Sequence, residues 1–419
     1  MNIMKKDSDI SDTIVPDRRR RHALAQKWLP ACLKALGITC IAMLLSIFLV
    51  SPFSATTSTF FSSPEQSDFR FSDIFAQFAD SRPVRQLDDR IVIVDIGNSN
   101  RHDIAEALVK LSLCNPKAIG IDVMFAHPGE DDSDLVNAIS LNPGIVMPVD
   151  MGSVKTTGEG GYIFSETARE SLSEPVPEQG VVHAAVNLPS SSESGRSRIR
   201  EYVVRFPTDK GGYMPSFPLA LAQATNPDAA SKLLRMGTDR GIIEYHSREF
   251  DIIPSEEIES HIDDIAGKTV IVGALNDAFD MHATPVNSYM AGTMIHAQAL
   301  ATILDGTWYE SAPRWLDYAL AILVCYLIVL MCITIKSPIR SILVRILQVL
   351  LLYLFVRIGY ELFIERRIIC NFSHTILMIA FGLFSIDLWN GMWVIIVYAK
   401  KKLTNIITRN TTKQCEEFS

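Results

Sequence analysis

The chain has 419 residues, with 39 Lys and Arg against 47 Asp and Glu, for a net charge of −8. That balance gives a nucleic-acid partner no global electrostatic support. Hydrophobic residues make up 48% and mean hydropathy is +0.18, high for a soluble protein, with the excess concentrated near residues 33–53 and 316–398. Of the seven cysteines only Cys114 lies in the large polar region between those runs, which excludes a disulfide framework there. No CxxC or comparable Cys/His spacing points to a metal.

Residues 1–32 are polar and basic, with Arg18-Arg19-Arg20-Arg21 ahead of Lys27. A basic run just before an apolar helix is a topology determinant that stays in the cytoplasm. Residues 33–53 are almost uninterrupted apolar sequence, and about 20 helical residues cross a bilayer core of roughly 30 Å. No A-x-A-like cleavage site follows, so the segment reads as a retained transmembrane helix.

Residues 54–90 read as a Ser/Thr/Phe-rich loop with a short helix near 71–78, and the ordered domain is expected to begin at Ile91. Ile91-Val92-Ile93-Val94-Asp95 is a buried-type strand, and the spacing predicts a helix over 99–113. Ala118-Ile119-Gly120-Ile121-Asp122 is a second such strand, 134–139 is helical, and Gly144-Ile145-Val146-Met147 is a third strand. Continuously apolar strands alternating with helices predict an α/β fold, a mostly parallel sheet covered by helices. Residues 151–180 carry little pattern. Residues 181–186 and 199–206 flank the Ser-rich 190–197 and read as a hairpin or neighbouring strands. A helix is predicted over 214–224, and short edge strands over 242–245 and 250–253.

Thr269-Val270-Ile271-Val272-Gly273 is another buried-type strand. A polar loop with Asp277, Asp280, His282, Thr284 and Pro285 follows, and then a helix from Gly292. Loops at the carboxyl ends of strands in open α/β sheets are where ligands bind. Three further apolar segments, 316–335, 342–364 and 368–398, complete four transmembrane helices. Lys336, Arg340, Arg345 and Lys400 to Lys402 then fall on the same side as the amino-terminal Arg run, although Arg366 and Arg367 dissent. The resulting layout is an extracytoplasmic domain at 54–315 (core 90–305), both termini cytoplasmic, and a tail at 399–419.

Asp95 and Asp122 end strands expected to run parallel, so both point to one sheet edge, together with the loop carrying Asp280. This convergence predicts a pocket; helix capping by each Asp is the competing account. Arg196, Arg198 and Arg200 alternate, giving one basic strand face for an anionic ligand or a charged edge. Asp280, His282 and His296 fit no familiar metal spacing, and Glu130 to Asp134 lacks the glycine and distal glutamate of a calcium loop. Arg357 and Glu361 are placed to pair at i,i+4 in a membrane helix, with Asp387 able to join them. No G-x-S-x-G, P-loop, G-x-G-x-x-G or H-E-x-x-H motif occurs, so no enzyme is expected.

Gly267-Lys268, Val272-Gly273, Asp280, Thr284-Pro285, Gly292 and His296-Ala297-Gln298-Ala299 resemble the signature of the type-2 CHASE domain. That is an extracellular sensory module found with bacterial cyclases, histidine kinases and protein kinases. The resemblance covers about residues 90–305, and three helices after the domain agree with the family's layout. It implies a bacterial inner-membrane sensor with a periplasmic domain. Such a sensor binds a small molecule or envelope protein without a cofactor, can form a homo-oligomer, and signals to a separate cytoplasmic or membrane output protein, the 399–419 tail being too short for an output domain. The candidate ligand-binding set is Asp95, Asp122, Asp280, Thr284, His296 and Arg200. A structural or assembly protein of the envelope is the alternative, and an envelope hydrolase a more distant one.

Overall fold

The computed structural model describes residues 15–55, 71–81, 85–156, 162–173, 175–177, 180–189, 198–245, 248–306, 308–335, 340–370 and 372–417. They fall into two compact units, one of residues 61–310 and one combining 1–60 with 311–419.

Helix α1 (Val15–Ala55) belongs to the second unit. The first unit opens with α2 (Phe71–Asp80), followed by β1 (Gln86–Asp95), α3 (Arg101–Leu113), β2 (Ala118–Asp122), α4 (Asp132–Ser140), β3 (Ile145–Thr156), β4 (Tyr162–Ala168) and β5 (Val181–Ala185). Short strands β6 (Glu201–Val203), β7 (Arg205–Pro207) and β8 (Tyr213–Pro215) lead to α5 (Phe217–Thr225) and α6 (Pro227–Arg235). Then come β9 (Arg240–Ile242), β10 (Arg248–Pro254), β11 (Thr269–Gly273), β12 (Met281–His282), β13 (Met290–Ala291) and α7 (Gly292–Leu304).

The main sheet runs β10-β1-β11-β2-β3 with β5 beyond β3, all parallel, and β4 antiparallel to the far half of β3. The unbroken apolar strands follow from their two-sided burial. Ile91, Ile93, Ile271 and Val146 face one core with α5 and α7 residues such as Phe217, Ile295 and Leu300. Val92, Val94, Val270, Val272, Ile119 and Ile121 face a second core with Ile104, Leu108 and Leu135 of α3 and α4. Gly120 is a glycine because a Cβ there would sit 2.6 Å from the Phe217 ring.

Four expectations change. The first strand begins at Gln86 rather than Ile91, because Gln86 and Leu87 pair with Arg248 and Glu249 of β10. Its polar residues are held by ion pairs: Arg90 bridges Asp88 and Asp305 (2.8 Å), and Arg248 joins Asp88 at 3.2 Å. Burial raises the Asp88 pKa, but the Arg90 hydrogen bonds and the two guanidinium charges outweigh it and hold the carboxyl below its usual range. Second, residues 181–186 and 199–206 do not pair with each other. β5 joins β3 in the main sheet, β6 pairs with β9 and β7 with β8. Third, the unpatterned 151–180 region holds the β3–β4 ribbon, whose edge position leaves little apolar periodicity. Fourth, Arg198 and Arg200 precede β6 in irregular backbone, and Arg196 lies outside the described residues.

In the other unit, α8 (Arg314–Thr334), α9 (Arg340–Glu365) and α10 (Ser373–Glu417) join α1. By length and composition four helices can cross a membrane, at Trp28–Phe48, Trp315–Thr334, Ile342–Glu365 and Ser373–Thr404. Ala35, Ile38 and Ala42 of α1 pack on Ala321, Cys325 and Val329 of α8 and Met378 of α10. Small side chains allow this close approach, and a Cβ on Gly37 would lie 2.7 Å from Trp389. Asp317 of α8 is buried and caps α10, accepting from the backbone N–H of His374 and Thr375 at 3.0 Å each and from the Thr375 hydroxyl at 2.7 Å. A carboxylate in this apolar setting is tolerated because it answers otherwise unpaired helix-end N–H groups. Arg357 and Glu361 do pair, at 2.8 Å, with half of each side chain exposed. Asp387 is exposed on α10 and forms no ion pair with them.

Candidate functional site

Asp95, Gly273 and Asp122 form one row across β1, β11 and β2, since Asp95 is in register with Gly273 and Gly273 with Asp122. Side chains alternate along strands, so these positions share the face of Ile93, Ile271 and Gly120, toward α7. The two carboxylates therefore do reach one edge of the sheet, with β11 inserted between their strands.

Each is committed to a local partner. Asp95 Oδ1 accepts from the N–H of Gly97 at 3.0 Å and of Leu275 at 3.1 Å, tying the two strand-end turns together. Asp122 Oδ2 accepts from the Thr293 hydroxyl at 2.8 Å, and its Oδ1 lies 3.9 Å from His296 Nε2. Burial pushes the Asp122 pKa up; His296 opposes the shift and the Asp280 carboxylate adds to it. His296 is buried against the Phe217 ring, 5.2 Å between centroids, and its Nδ1 has no hydrogen-bond partner among the described residues.

Asp280 sits over the start of α7, where Oδ2 accepts from Gly292 N at 3.0 Å and Oδ1 meets His282 Nε2 at 3.0 Å. A carboxylate there suits the positive end of the helix dipole. Gly292 must be small, since a Cβ would lie 2.8 Å from Asp280 Cγ. Thr284 is fully buried and closes a turn, its hydroxyl donating to Asn287 O at 2.9 Å and accepting from Asn287 N at 3.0 Å.

Arg200 does not face this edge with a free guanidinium. Its Nε and Nη2 bind Asp73 of α2 at 2.8 and 2.7 Å, with both side chains buried. The pair is a two-pronged clamp holding α2 on the unit. Asp132 is likewise taken up: Arg101 at 2.7 Å, Gly129 N at 2.8 Å and Ser173 N at 2.7 Å surround its buried carboxylate. Among the described residues, His102, Asp131 and Asp134 bring their ligand atoms within 4.8 Å of one another, a surface acidic cluster at the start of α4.

The cavity lies elsewhere on the unit. About 670 Å³ opens between β10, α7 and the 275–291 loop, lined among others by Tyr245, Gln298, Leu275, Met281, Met290 and Met294. None of Asp95, Asp122, Asp280, Thr284, His296 or Arg200 lines it. This cavity lies toward the β10 edge, away from the carboxylate row, whose carboxylates are met by Thr293 and the turn amides. Sequence reading missed Tyr245 and Gln298. The available signal was the place of Gln298 in the His296-Ala297-Gln298-Ala299 signature, on a helix that is otherwise mostly apolar.

A parallel α/β sheet with a strand-end cavity, in a chain with four membrane-length apolar helices, defines a membrane protein with a polar globular unit. Residues 41–333 match the family model of the CHASE2 domain, and the chain belongs to that family of extracellular sensory domains. No match was found among curated proteins or among solved structures.

Proposed function

We propose that this chain is a bacterial inner-membrane receptor whose α/β unit stands in the periplasm and binds a small ligand or an envelope partner. Binding shifts the transmembrane helices and, through them, a separate output protein. The observation that carries the reading is the CHASE2 match over residues 41–333, with one apolar helix before the polar unit and three after it. The basic residues support the orientation, since Arg18 to Arg21, Lys336, Arg340, Arg345 and Lys400 to Lys402 all fall on one side under it. Signalling of this kind needs a ligand that binds two conformations with different affinity.

Cysteine labelling of intact cells tests the placement. Lys210→Cys, at an exposed turn, should react with a membrane-impermeant maleimide above the level of the parent chain. Lys401→Cys should react only after permeabilisation. The reverse pattern sinks the receptor reading.

A further inference from the structure

Resting on the reading of the α/β unit as a ligand-binding sensor, we infer that the 670 Å³ cavity takes an uncharged organic molecule. Its buried end carries both a hydrogen-bond donor and an acceptor, as an amide or alcohol does, and its body meets both polar and apolar wall.

The buried end is defined by two side chains. Gln298 and Tyr245 are each 4% exposed and line the cavity. The Gln298 Oε1 and the Tyr245 hydroxyl have no hydrogen-bond partner among the described residues. Buried polar groups are normally paired, so two unpaired ones on one cavity wall point to a partner that arrives from outside the chain. Gln298 Oε1 accepts only, and therefore requires a donor. Burial pushes the Tyr245 phenol well above its usual pKa, so it stays neutral and can donate to an acceptor.

Charge narrows the class. The lining carries Asp80, Arg85, Arg248 and Glu249, which cancel. Arg85 is paired with Asp80 at 3.1 Å and lies 3.9 Å from Glu249. Arg248 is held by Asp88 at 3.2 Å, by Glu244 at 3.5 Å and by Asp305. Arg248 Nε alone has no hydrogen-bond partner among the described residues, but three carboxylates already balance that guanidinium, so an anion would enter without charge compensation. Met281, Met290 and Met294, with Leu275 and Val286, supply the apolar part of a lining that exposes more polar than apolar surface. Methionine side chains adapt to irregular shapes, and the volume lies within the roughly 300–1,000 Å³ of small-molecule sites.

The test uses the full chain in lipid nanodiscs and three probes with one body: N-acetyl-leucyl-leucinamide, its free acid, and the unacetylated amine. Calorimetry, corrected with empty nanodiscs, should give the amide a Kd on the order of 0.1 mM. The two charged probes should bind about tenfold weaker or worse. Gln298→Leu and Tyr245→Phe should each weaken the amide about tenfold, the loss of one hydrogen bond to a buried group. Their Tm should not fall, because each removes an unpaired buried atom. Met290→Trp, which fills the cavity, should abolish binding and serves if either variant misfolds. Absent amide binding, equal binding of the acid, or unchanged affinity in the variants overturns the assignment. Amide binding with no change in cross-linking between cysteines in α8 and α10 keeps the site and sinks the sensor reading. Absent binding sinks the site and leaves a protein as the sensed species.

Discussion

Two polar neighbourhoods sit within one α/β unit and differ in how their polar groups are answered. Along the Asp95–Gly273–Asp122 row both carboxylates are engaged: Asp95 by two turn amides, Asp122 by the Thr293 hydroxyl. Across α7, in the cavity, Gln298 Oε1 and the Tyr245 hydroxyl are buried and unanswered. The row is assembled from the more conspicuous residues, and both its carboxylates are answered without a ligand, with only the neighbouring His296 Nδ1 left unpaired. The cavity is built from ordinary ones, and two of its buried polar groups are unanswered on one wall. Partner accounting therefore separates scaffold from site better than residue type does.

The largest effect that would break this contrast concerns Arg200. If its bidentate bond to Asp73 is scaffold, Arg200→Met leaves a carboxylate buried without its countercharge. Unfolding stability should then drop by about 3–5 kcal/mol, read from chemical denaturation. Adding Asp73→Leu should recover most of that loss, since replacing both partners with apolar groups is near neutral. A single variant of unchanged stability would return Arg200 to the ligand-binding candidates.

A smaller effect concerns the glycine in the row. Gly273→Ala would place a Cβ 2.9 Å from Thr293 Cγ2, and Thr293 cannot turn away without losing Asp122. Overpacking of this kind costs about 1–3 kcal/mol. A variant as stable as the parent would mean that the row is looser than its hydrogen bonds imply, with room for a ligand.

Much of the fold is legible from residue pattern. Ile91 to Val94 and Val270 to Val272 are β-branched and apolar without alternation, which only a strand covered on both faces requires. The capping box of Asn100 and Asp103 marks the start of α3 in the same local way. Strand order is different in kind. That β11 slots between β1 and β2 depends on Asp95 meeting Gly273 and Gly273 meeting Asp122, pairings distant in sequence that no local period encodes. The convergence of Asp95 and Asp122 survived because strand direction alone sets the edge they reach. The cavity was not legible: Tyr245, Gln298 and the methionines come from separate segments, and none is a residue type that announces chemistry. Arg200 misled because a guanidinium looks the same in sequence whether it waits for an anion or clamps an aspartate.

The smallest and most local effect is a pH slope at Asp122. Burial raises its folded pKa, whereas the unfolded chain keeps the ordinary carboxylate value of about 4. Between those two values the folded state binds more protons than the unfolded state, so stability falls as pH rises through that window. Above the folded pKa the penalty is complete and this contribution is flat. Asp122→Asn keeps an oxygen to accept from Thr293 but has no proton to lose, so its stability profile should lack the fall. His296 at 3.9 Å and the nearby Asp280 and His282 charges remain in both proteins, and the difference between the two profiles isolates Asp122. Denaturation midpoints measured across the acid range provide the comparison. Parallel profiles would show that the carboxylate is solvated in solution, open to water and to ligands, and the contrast between row and cavity would then disappear.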